Sequence, residues 1–327
     1  MIRNFLSLLL LLVISLEISA QWHPDQIEII RDQWGVPHIY APTDAQVSYG
    51  LAWAHAEDDF GTIQTTLLAA KSMLGLHLGK DGAIADYVVG LLRTKEIVAE
   101  HLDEVSPDFL NIVKGYLAGL NAYAQHHPQE VFVKKSFPIT VQDVFQAYVL
   151  QLAVMDGADG VIGGLIKGNI DHGALIGIGS NAFAFNRKKT GSDHVMLAVN
   201  AHQPLEGPAA WYEAHLVSEE GWNAMGGLFP GGPVIFHGTN EHLGWAHTVN
   251  HPDKIDIFEL EIDPQNERRY RMDSTWHTLE KRKIALRISI FMGLKIRVKK
   301  VAYYSKYGPV IKNDKGYFAF KMSVFDE

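Results

Sequence analysis

In the segment Gly177-Ile178-Gly179-Ser180-Asn181-Ala182-Phe183-Ala184-Phe185, a glycine-rich stretch runs into a small hydroxyl residue at the start of a predicted strand. Upstream, apolar residues recur at three- and four-residue spacing, which predicts helices over 44–78, 84–101, 107–125 and 141–155. Downstream, alternating runs predict strands over 180–185, 195–199, 210–216, 233–238, 243–249, 256–262 and most of 283–324. Residues 156–179 have no periodicity and are predicted to form a loop. Helices followed by strands indicate an α+β protein or two domains.

Ser180 is the candidate nucleophile of the chain. If the bond between Gly179 and Ser180 is cut, Ser180 carries both a hydroxyl and a free α-amine, whose ordinary pKa is about 8. The amine can then accept the hydroxyl proton during attack, so that one residue is both nucleophile and base. Gly179 has no Cβ and allows an unusual backbone geometry at the bond to be cut. A Gly-Ser-Asn turn that merely enters a strand is the ordinary alternative.

Two further blocks follow this strand at short intervals. The block Val199-Asn200-Ala201-His202-Gln203-Pro204 lies one hairpin later, so its end is expected to return beside Ser180. Further on come Phe229-Pro230-Gly231-Gly232-Pro233 and the histidine-rich run 237–250. These neighbours favour the catalytic interpretation of Ser180.

Three upstream blocks complete the pattern: residues 31–39 (RDQWGVPHI), 49–58 (YGLAWAHAED) and 115–121 (GYLAGLN). Together with the downstream blocks, and in the same order, they resemble the penicillin acylase family of N-terminal nucleophile hydrolases. The resemblance covers nearly all of the chain after its first twenty residues. It implies the four-layer αββα sandwich of that superfamily, preceded by a mostly helical segment.

The resemblance implies a role for individual residues of the site. Ser180 becomes the first residue of a β-subunit after autocatalytic cleavage at Gly179–Ser180, and Asn181 helps to shape the site. His202 orients the amine of the nucleophile, and the backbone N–H of Val249 donates to the oxyanion. Such a donor is worth about 2.7–4 kcal/mol in comparable acyl-transfer sites. The family's second oxyanion donor is an Asn side chain well downstream of Glu327, so the chain is expected to be an N-terminal fragment and inactive as written.

The implied organisation has four parts. Residues 1–20 are a signal peptide, 21–159 the helical α-subunit region, 160–179 a linker or spacer peptide, and 180–327 the start of the β-subunit. The signal consists of Arg3, an apolar stretch over 5–16 and small residues at 19–20. An uncleaved membrane anchor is the alternative. Export to the periplasm or the medium is expected, with an α/β heterodimer formed from one precursor.

Calcium is the metal that the resemblance suggests. Residues 253–256 resemble the loop where some family members bind Ca²⁺, with Asp253 and Asp256 as carboxylate ligands and Ile255 as the backbone carbonyl ligand. A turn with one solvated aspartate and one aspartate that caps a strand is the other interpretation. No cofactor is required for the chemistry. The histidines at 242, 247 and 251 lie on a predicted strand, where their spacing does not converge into a zinc site; His38 and His55 are expected to be packed.

Composition excludes several other functions. The chain has no cysteine, so disulfides and thiolate catalysis are absent. A formal net charge of −8 argues against a nucleic-acid partner. The cations of Lys295–Lys300 alternate with apolar residues and are interpreted as a solvated strand face. No later apolar run is long enough to cross a bilayer, so no membrane partner is expected after removal of the signal.

The expected substrate is a small N-acyl amide. A histidine at His202, where other members have glutamine, resembles the branch of acyl-homoserine-lactone and cephalosporin acylases, which favours aliphatic acyl groups over phenylacetyl penicillins. The acyl pocket is expected to be apolar. Two alternatives stay open: a catalytically inactive exported homologue that acts as a binding protein, and an unrelated secreted zinc or calcium hydrolase.

Overall fold

The computed structural model describes residues 22–169, 179–249 and 254–325. Within these ranges the chain is an α+β protein, as the order of helical and strand patterns predicts. It divides into two compact units. The first is formed by residues up to 64, 105–141 and 180–248, and the second by 65–104, 142–179 and the residues from 249 onward. The signal peptide prediction lies outside the described residues.

In the described part of the chain, six α-helices precede Ser180. They are α1 (Asp44–Ala70, interrupted by a non-helical residue at Asp59), α2 (Gly75–Leu92), α3 (Thr94–His101), α4 (Pro107–His126), α5 (Val141–Met155) and α6 (Ala158–Ile166). The Ser106 hydroxyl accepts a hydrogen bond from the N–H of Phe109 at 3.3 Å and caps α4, whose first residue is a proline. Among the described residues, no single helix is long and apolar enough to span a membrane; the pair α5–α6 passes that test only together, bent by 70°.

The first unit contains a six-stranded sheet. Its strands, in spatial order, are β1 (Glu28–Arg31), β2 (Pro37–Ala41), β5 (Tyr212–Ser218), β6 (Asn223–Leu228), β7 (His237–Thr239) and β8 (Gly244–Trp245). The pairing of β2 with β5 is parallel and the others are antiparallel. Alternate residues of β2 and β5, such as Ile39 and Leu216, are fully buried, so one face of the sheet forms part of the core.

A separate two-stranded sheet in the first unit consists of β3 (Ser180–Phe185) and β4 (Met196–Ala201). A single helical turn, Arg187–Thr190, lies in the connection between them.

The second unit is built on antiparallel sheets. A five-stranded sheet has the order β13 (Glu280–Ser289), β14 (Lys295–Ser305), β15 (Gly308–Asn313), β16 (Gly316–Met322) and β9 (Ile255–Glu259). A three-stranded sheet contains β10 (Ile262–Asp263), β11 (Asn266–Met272) and β12 (Thr275–Thr278). Apolar side chains of α2, α5 and α6 pack with the five-stranded sheet in one core that includes Leu91, Ala153, Leu165, Tyr304 and Phe320.

Two helix predictions require correction. The first predicted helix ends at Ala70, and the second begins at Gly75 and breaks at Arg93, which adopts a left-handed φ of 59°. The predicted loop over 156–179 was wrong in its first part, because Ala158–Ile166 is helical. Ile162 and Leu165 of α6 are buried in the core, and this burial outweighs the low helix propensity of the glycines beside them. Residues 170–178 of the predicted spacer lie outside the described residues.

Strand predictions failed where glycine interrupts the alternation of apolar and polar residues. Strand β6 was missed because it contains Gly226 and Gly227. At Gly226, φ is +154° and a Cβ would lie 2.0 Å from the carbonyl oxygen of His237, so the close pairing with β7 requires glycine. The strands predicted over 233–238 and 243–249 shorten to His237–Thr239 and Gly244–Trp245.

Candidate active site

Ser180 is the first residue of β3, and the pairing of β3 with β4 determines its neighbours. The antiparallel register places Ser180 opposite Ala201 and Asn181 opposite Asn200. His202 therefore follows directly after the residue that faces Ser180. The expected return of the second block beside the nucleophile strand is confirmed at the level of the backbone. The catalytic roles of these residues stay predictions.

The imidazole of His202 is held on the other face of the hairpin in the intact chain. Directly paired residues of two antiparallel strands share a face, and successive residues of one strand alternate between faces. The side chains of Asn181 and Asn200 therefore share one face of the hairpin, and the side chain of Ser180 lies on the other face. His202 Nε2 lies 3.2 Å from Nδ2 of Asn200. When the imidazole proton is on Nδ1, the Asn200 amide donates to Nε2. The His202 side chain is therefore paired with Asn200, whereas the His202 backbone lies beside Ser180.

The hairpin carries large apolar side chains in exposed positions. Within the described residues, β3 and β4 pair only with each other. Phe183 is 55% exposed, and its neighbours along both strands are similarly open. Ser180 is half-buried and Asn181 is exposed. The apolar surface beside the nucleophile is therefore available to a further part of the protein or to a substrate.

Val249 belongs to the second unit and Ser180 to the first. The side chain of Val249 is half-buried, and the residue lies outside any strand. Its N–H forms no hydrogen bond with any residue in the described part of the chain. An oxyanion donor must be free in this way. This property is compatible with the predicted role of Val249 and does not test it.

The described residues include only part of the predicted calcium site, which stays a prediction. Asp253 lies outside them, Ile255 begins β9, and Asp256 is exposed on the same strand. Lys254, between the predicted ligands, donates to Asp156 Oδ1 at 2.5 Å. Within 22–169, 179–249 and 254–325, no three His, Asp or Glu side chains are grouped as a metal site requires.

A cavity of about 420 Å³ lies in the first unit. One of its lining residues, Leu205, follows His202 by three positions in the sequence. Its wall is half apolar and half polar in character, with residues from α1 and from the segment that leads into β5: His55, Asp59, Thr62, Leu205, Glu206, Gly207, Ala210, Trp211, Tyr212 and Pro230. The Nδ1 of His55 and the Nε1 of Trp211 are buried, and neither has a hydrogen-bond partner among the described residues. Buried polar atoms are normally satisfied, so these two atoms mark the cavity wall as a place for a polar ligand group or water.

Three upstream residues hold the cavity wall in position. Asp58 Oδ2 accepts hydrogen bonds from the Tyr212 hydroxyl at 2.7 Å and from Arg31 Nη1 at 2.8 Å. The ring of Tyr212 in turn stacks on His55 with a centroid distance of 3.8 Å. Burial, together with the Asp58 carboxylate, raises the pKa of Tyr212, which keeps its hydroxyl protonated as the donor. The first two sequence blocks therefore meet here with the start of β5.

Sequence reasoning foresaw only part of this wall. His55 is 1% exposed, which confirms that it is a packed residue, but it also lines the cavity. Trp211 is half-buried and also lines the cavity. Tyr212 was missed, because no local pattern indicates that its hydroxyl reaches an aspartate 154 positions upstream.

Burial of His55 predicts a pH-dependent stability. Desolvation lowers the pKa of His55 to about 4 in the folded protein, whereas an unfolded histidine has a pKa of about 6.5. Between these values the unfolded chain binds a proton that the folded protein excludes, so stability falls as the pH falls. The loss is expected to reach about 3 kcal/mol by pH 4.

The measurement is the free energy of unfolding against pH for the wild type and His55→Phe. We expect the free energy of unfolding of His55→Phe to fall less than that of the wild type as the pH is lowered from about 6.5 to about 4. The control is His194→Phe, which removes an exposed histidine. Equal slopes for the wild type and His55→Phe would contradict the assignment.

Comparisons with known proteins agree with the blocks described above. A sequence model of the family described as penicillin amidase matches residues 26–326. The acyl-homoserine lactone acylase PvdQ of Pseudomonas fluorescens (strain Pf0-1) is 24% identical over 347 residues, covering 95% of this chain and 45% of the relative. The aculeacin-A acylase of Actinoplanes utahensis is 23% identical over 321 residues, covering 86% of this chain and 40% of the relative.

Among solved structures, a thermostable penicillin G acylase from Alcaligenes faecalis in tetragonal form is 23% identical, with a TM-score of 0.32. The match covers 45% of this chain and 85% of that chain. The chain described here spans less than half the length of the curated relatives it matches.

Proposed function

The chain belongs to the penicillin amidase family, and from that premise we propose that it is part of a self-processing amidohydrolase that cleaves linear N-acyl amides through an acyl-enzyme on Ser180. The observation that carries the proposal is the register of β3 and β4. It places the residue before His202 opposite Ser180 at the first position of a strand. We extend the proposal to the four-layer αββα sandwich for the whole protein and to its export from the cytoplasm.

Processing begins in the intact chain. The hydroxyl oxygen of Ser180 attacks the carbonyl carbon of Gly179, and the peptide bond is replaced by an ester. Water then hydrolyses the ester, which leaves a carboxylate on Gly179 and a free α-amine on Ser180. Two subunits result, an α-subunit that ends before Ser180 and a β-subunit that begins with it.

Hydrolysis of the substrate uses the same Ser180 hydroxyl oxygen. The α-amine takes the proton of the Ser180 hydroxyl, and the oxygen attacks the amide carbonyl of the substrate. The N–H of Val249 donates to the oxyanion of the tetrahedral intermediate. Collapse of that intermediate transfers the proton to the leaving amine and leaves an acyl ester on Ser180. Water attacks the ester and releases the acid.

The extent of any excised spacer follows from the core. Residues 160–166 belong to α6, and Leu165 is buried with Phe318 and Phe320 in the second unit. The carbonyl of Leu165 also accepts a hydrogen bond from Asn313 at 2.8 Å. Removal of the whole predicted spacer 160–179 would open this core. We therefore place the α-subunit end of the spacer after α6.

The substrate class rests on two supports. His202 stands where other family members have glutamine, and several relatives are named as acyl-homoserine lactone acylases. We propose aliphatic N-acyl amides of that kind as substrates. The half-apolar cavity beside Leu205 and Trp211 is large enough for part of such a molecule.

The test is N-terminal sequencing and intact-mass measurement of the protein expressed from its full gene, followed by hydrolysis assays. We expect a subunit beginning at Ser180 and faster release of acid from long-chain N-acyl-homoserine lactones than from phenylacetyl amides. The opposite preference would refute the substrate class only. A processed protein inert toward both would refute it as well, and an uncut folded chain would instead support an inactive homologue that binds its ligand.

A further inference from the structure

The hairpin β13–β14 is a basic region in an otherwise acidic chain. Residues 281–305 of this hairpin contain eight of the 29 Lys and Arg residues and none of the 37 Asp and Glu residues. The sequence alone suggested that the cations of Lys295–Lys300 are a solvated strand face. Their concentration in one hairpin of a protein with a net charge of −8 calls for a more specific explanation.

The register places most of these cations on one face. Lys283, Ala285, Arg287 and Ser289 of β13 lie opposite Val301, Lys299, Arg297 and Lys295 of β14. Directly opposed residues of an antiparallel pair share a face. The other face, with Ile284 and Leu286, is covered by α2: a Cβ at Gly90 would lie 2.7 Å from Ile284 Cγ2. The cationic face is therefore the outer one.

The outer face carries an excess of positive charge, although the Asp86 carboxylate on α2 attracts Arg287. Arg287 lies directly opposite Arg297, and like charges in that position destabilise a sheet. Lys283, Lys295, Arg297 and Lys299 form no ion pair with an acid in the described parts of the chain. An anionic partner would relieve this repulsion.

The tip of the hairpin is apolar and presented by an ordered turn. Phe291 is 87% exposed and Leu294 is 62% exposed. The turn is closed by hydrogen bonds from the N–H of Ile290 to the carbonyl of Leu294 at 2.7 Å and from the N–H of Gly293 to the carbonyl of Ile290 at 3.1 Å. Gly293 has a φ of +74°, which suits glycine. The turn thus holds two large apolar side chains in solvent at the end of the cationic face.

We propose that this hairpin docks the protein on an anionic phospholipid surface. Phe291 and Leu294 enter the interfacial layer, and Lys295, Arg297 and Lys299 contact the lipid phosphates. Aromatic and aliphatic residues beside Lys and Arg are the composition by which proteins attach to membrane interfaces without spanning them. A nucleic acid would use the cations but not the apolar tip, and the rest of this protein is acidic. The proposal departs from the expectation of no membrane partner, which considered only spanning segments.

The experiment is flotation of the protein, expressed from its full gene, with phosphatidylcholine vesicles that do or do not contain phosphatidylglycerol. We expect binding only to the anionic vesicles, weakened by salt. The double variant Phe291→Ser, Leu294→Ser is expected to lower the partition coefficient about tenfold. The triple variant Lys295→Gln, Arg297→Gln, Lys299→Gln is expected to lower it roughly ten- to a hundredfold.

Matched controls remove the same kinds of side chain elsewhere. Trp34→Ser removes an equally exposed aromatic residue, and Lys134→Gln, Lys135→Gln, Lys188→Gln removes three exposed cations. Both controls are expected to bind as the wild type does. A Phe291→Trp variant gives a second readout, a blue-shifted emission that brominated lipids quench, and it does not depend on tolerance of serine at the tip.

Three outcomes overturn the proposal. One is absence of binding to the anionic vesicles. Another is binding that the tip and charge variants leave unchanged. The third is a Phe291→Trp emission that is already blue-shifted without vesicles, combined with a lower melting temperature for the serine variant, because the tip would then be buried against another part of the same protein.

Discussion

Replacement of Ser180 by alanine is expected to leave a single uncut chain and to lower kcat/KM toward N-acyl amides roughly 10⁵-fold or more. The physical reason is that, in the proposed mechanism, the Ser180 hydroxyl oxygen performs both the self-cleavage and the attack on the substrate. Without it nothing attacks the carbonyl of Gly179, so the α-amine that serves as base is never released. The measurements are intact mass after expression and the rate of acid release from the purified protein.

Two controls separate the nucleophile from the fold. Ser180→Cys retains a nucleophilic side chain and is expected to process at least in part. Ser192→Ala removes another exposed serine, in the loop that joins β3 and β4, and is expected to process and turn over as the wild type does. The assignment of Ser180 fails if the alanine variant is cut at the same bond, or if the Ser192 variant is impaired to the same degree.

The nucleophile hairpin was predictable because its information is local. The glycine-rich segment, the hydroxyl residue and the two alternating runs lie within about twenty-five residues, and a short connection between such runs predicts an antiparallel pair. The observed pairing of the two strands brings Ala201 opposite Ser180. The orientation of the His202 imidazole was not predictable, because it depends on a single contact with Asn200.

Long-range pairing accounts for most of what the sequence did not predict. Strand β2 pairs in parallel with β5, so that Ile39 lies beside Leu216. No local pattern specifies which strands become neighbours across such a separation. The cavity wall depends on long-range contacts of the same kind, since Asp58 joins Arg31 and Tyr212, which lie far apart in the sequence. Helix α6 was missed because its glycines suggested a loop, whereas its stability comes from burial in the core.

The block 115–121, which contributed to the family resemblance, has a physical explanation in the packing of α4 against α1. Gly115 and Gly119 are one helical turn apart, as are Ala45 and Tyr49 on α1. A Cβ at Gly115 would lie 1.9 Å from the carbonyl oxygen of Ala45, and one at Gly119 would lie 2.2 Å from that of Tyr49. The two glycines therefore allow the helix backbones to approach more closely than any side chain would permit.

Gly115→Ala is expected to destabilise the first unit by about 3 kcal/mol, the upper end of the usual cost of forcing atoms into a packed core. Alanine favours a helix over glycine by about 1 kcal/mol, but the added methyl group would have to displace backbone rather than a flexible side chain. The helices would separate, and Tyr116 and Leu120, which are fully buried on α4, would lose contacts. A decrease of roughly 10 °C in the melting temperature is expected.

Gly163→Ala is the matched control, because it changes the same residue type within a helix where nothing lies within 4 Å of the added Cβ. There the gain in helix propensity is not opposed, so the melting temperature is expected to stay the same or to rise slightly. Differential scanning calorimetry of both variants measures the contrast. Equal melting temperatures for the two variants would mean that the approach of α4 to α1 is looser than the positions of Gly115 and Ala45 require, and that the 115–121 block is retained for another reason.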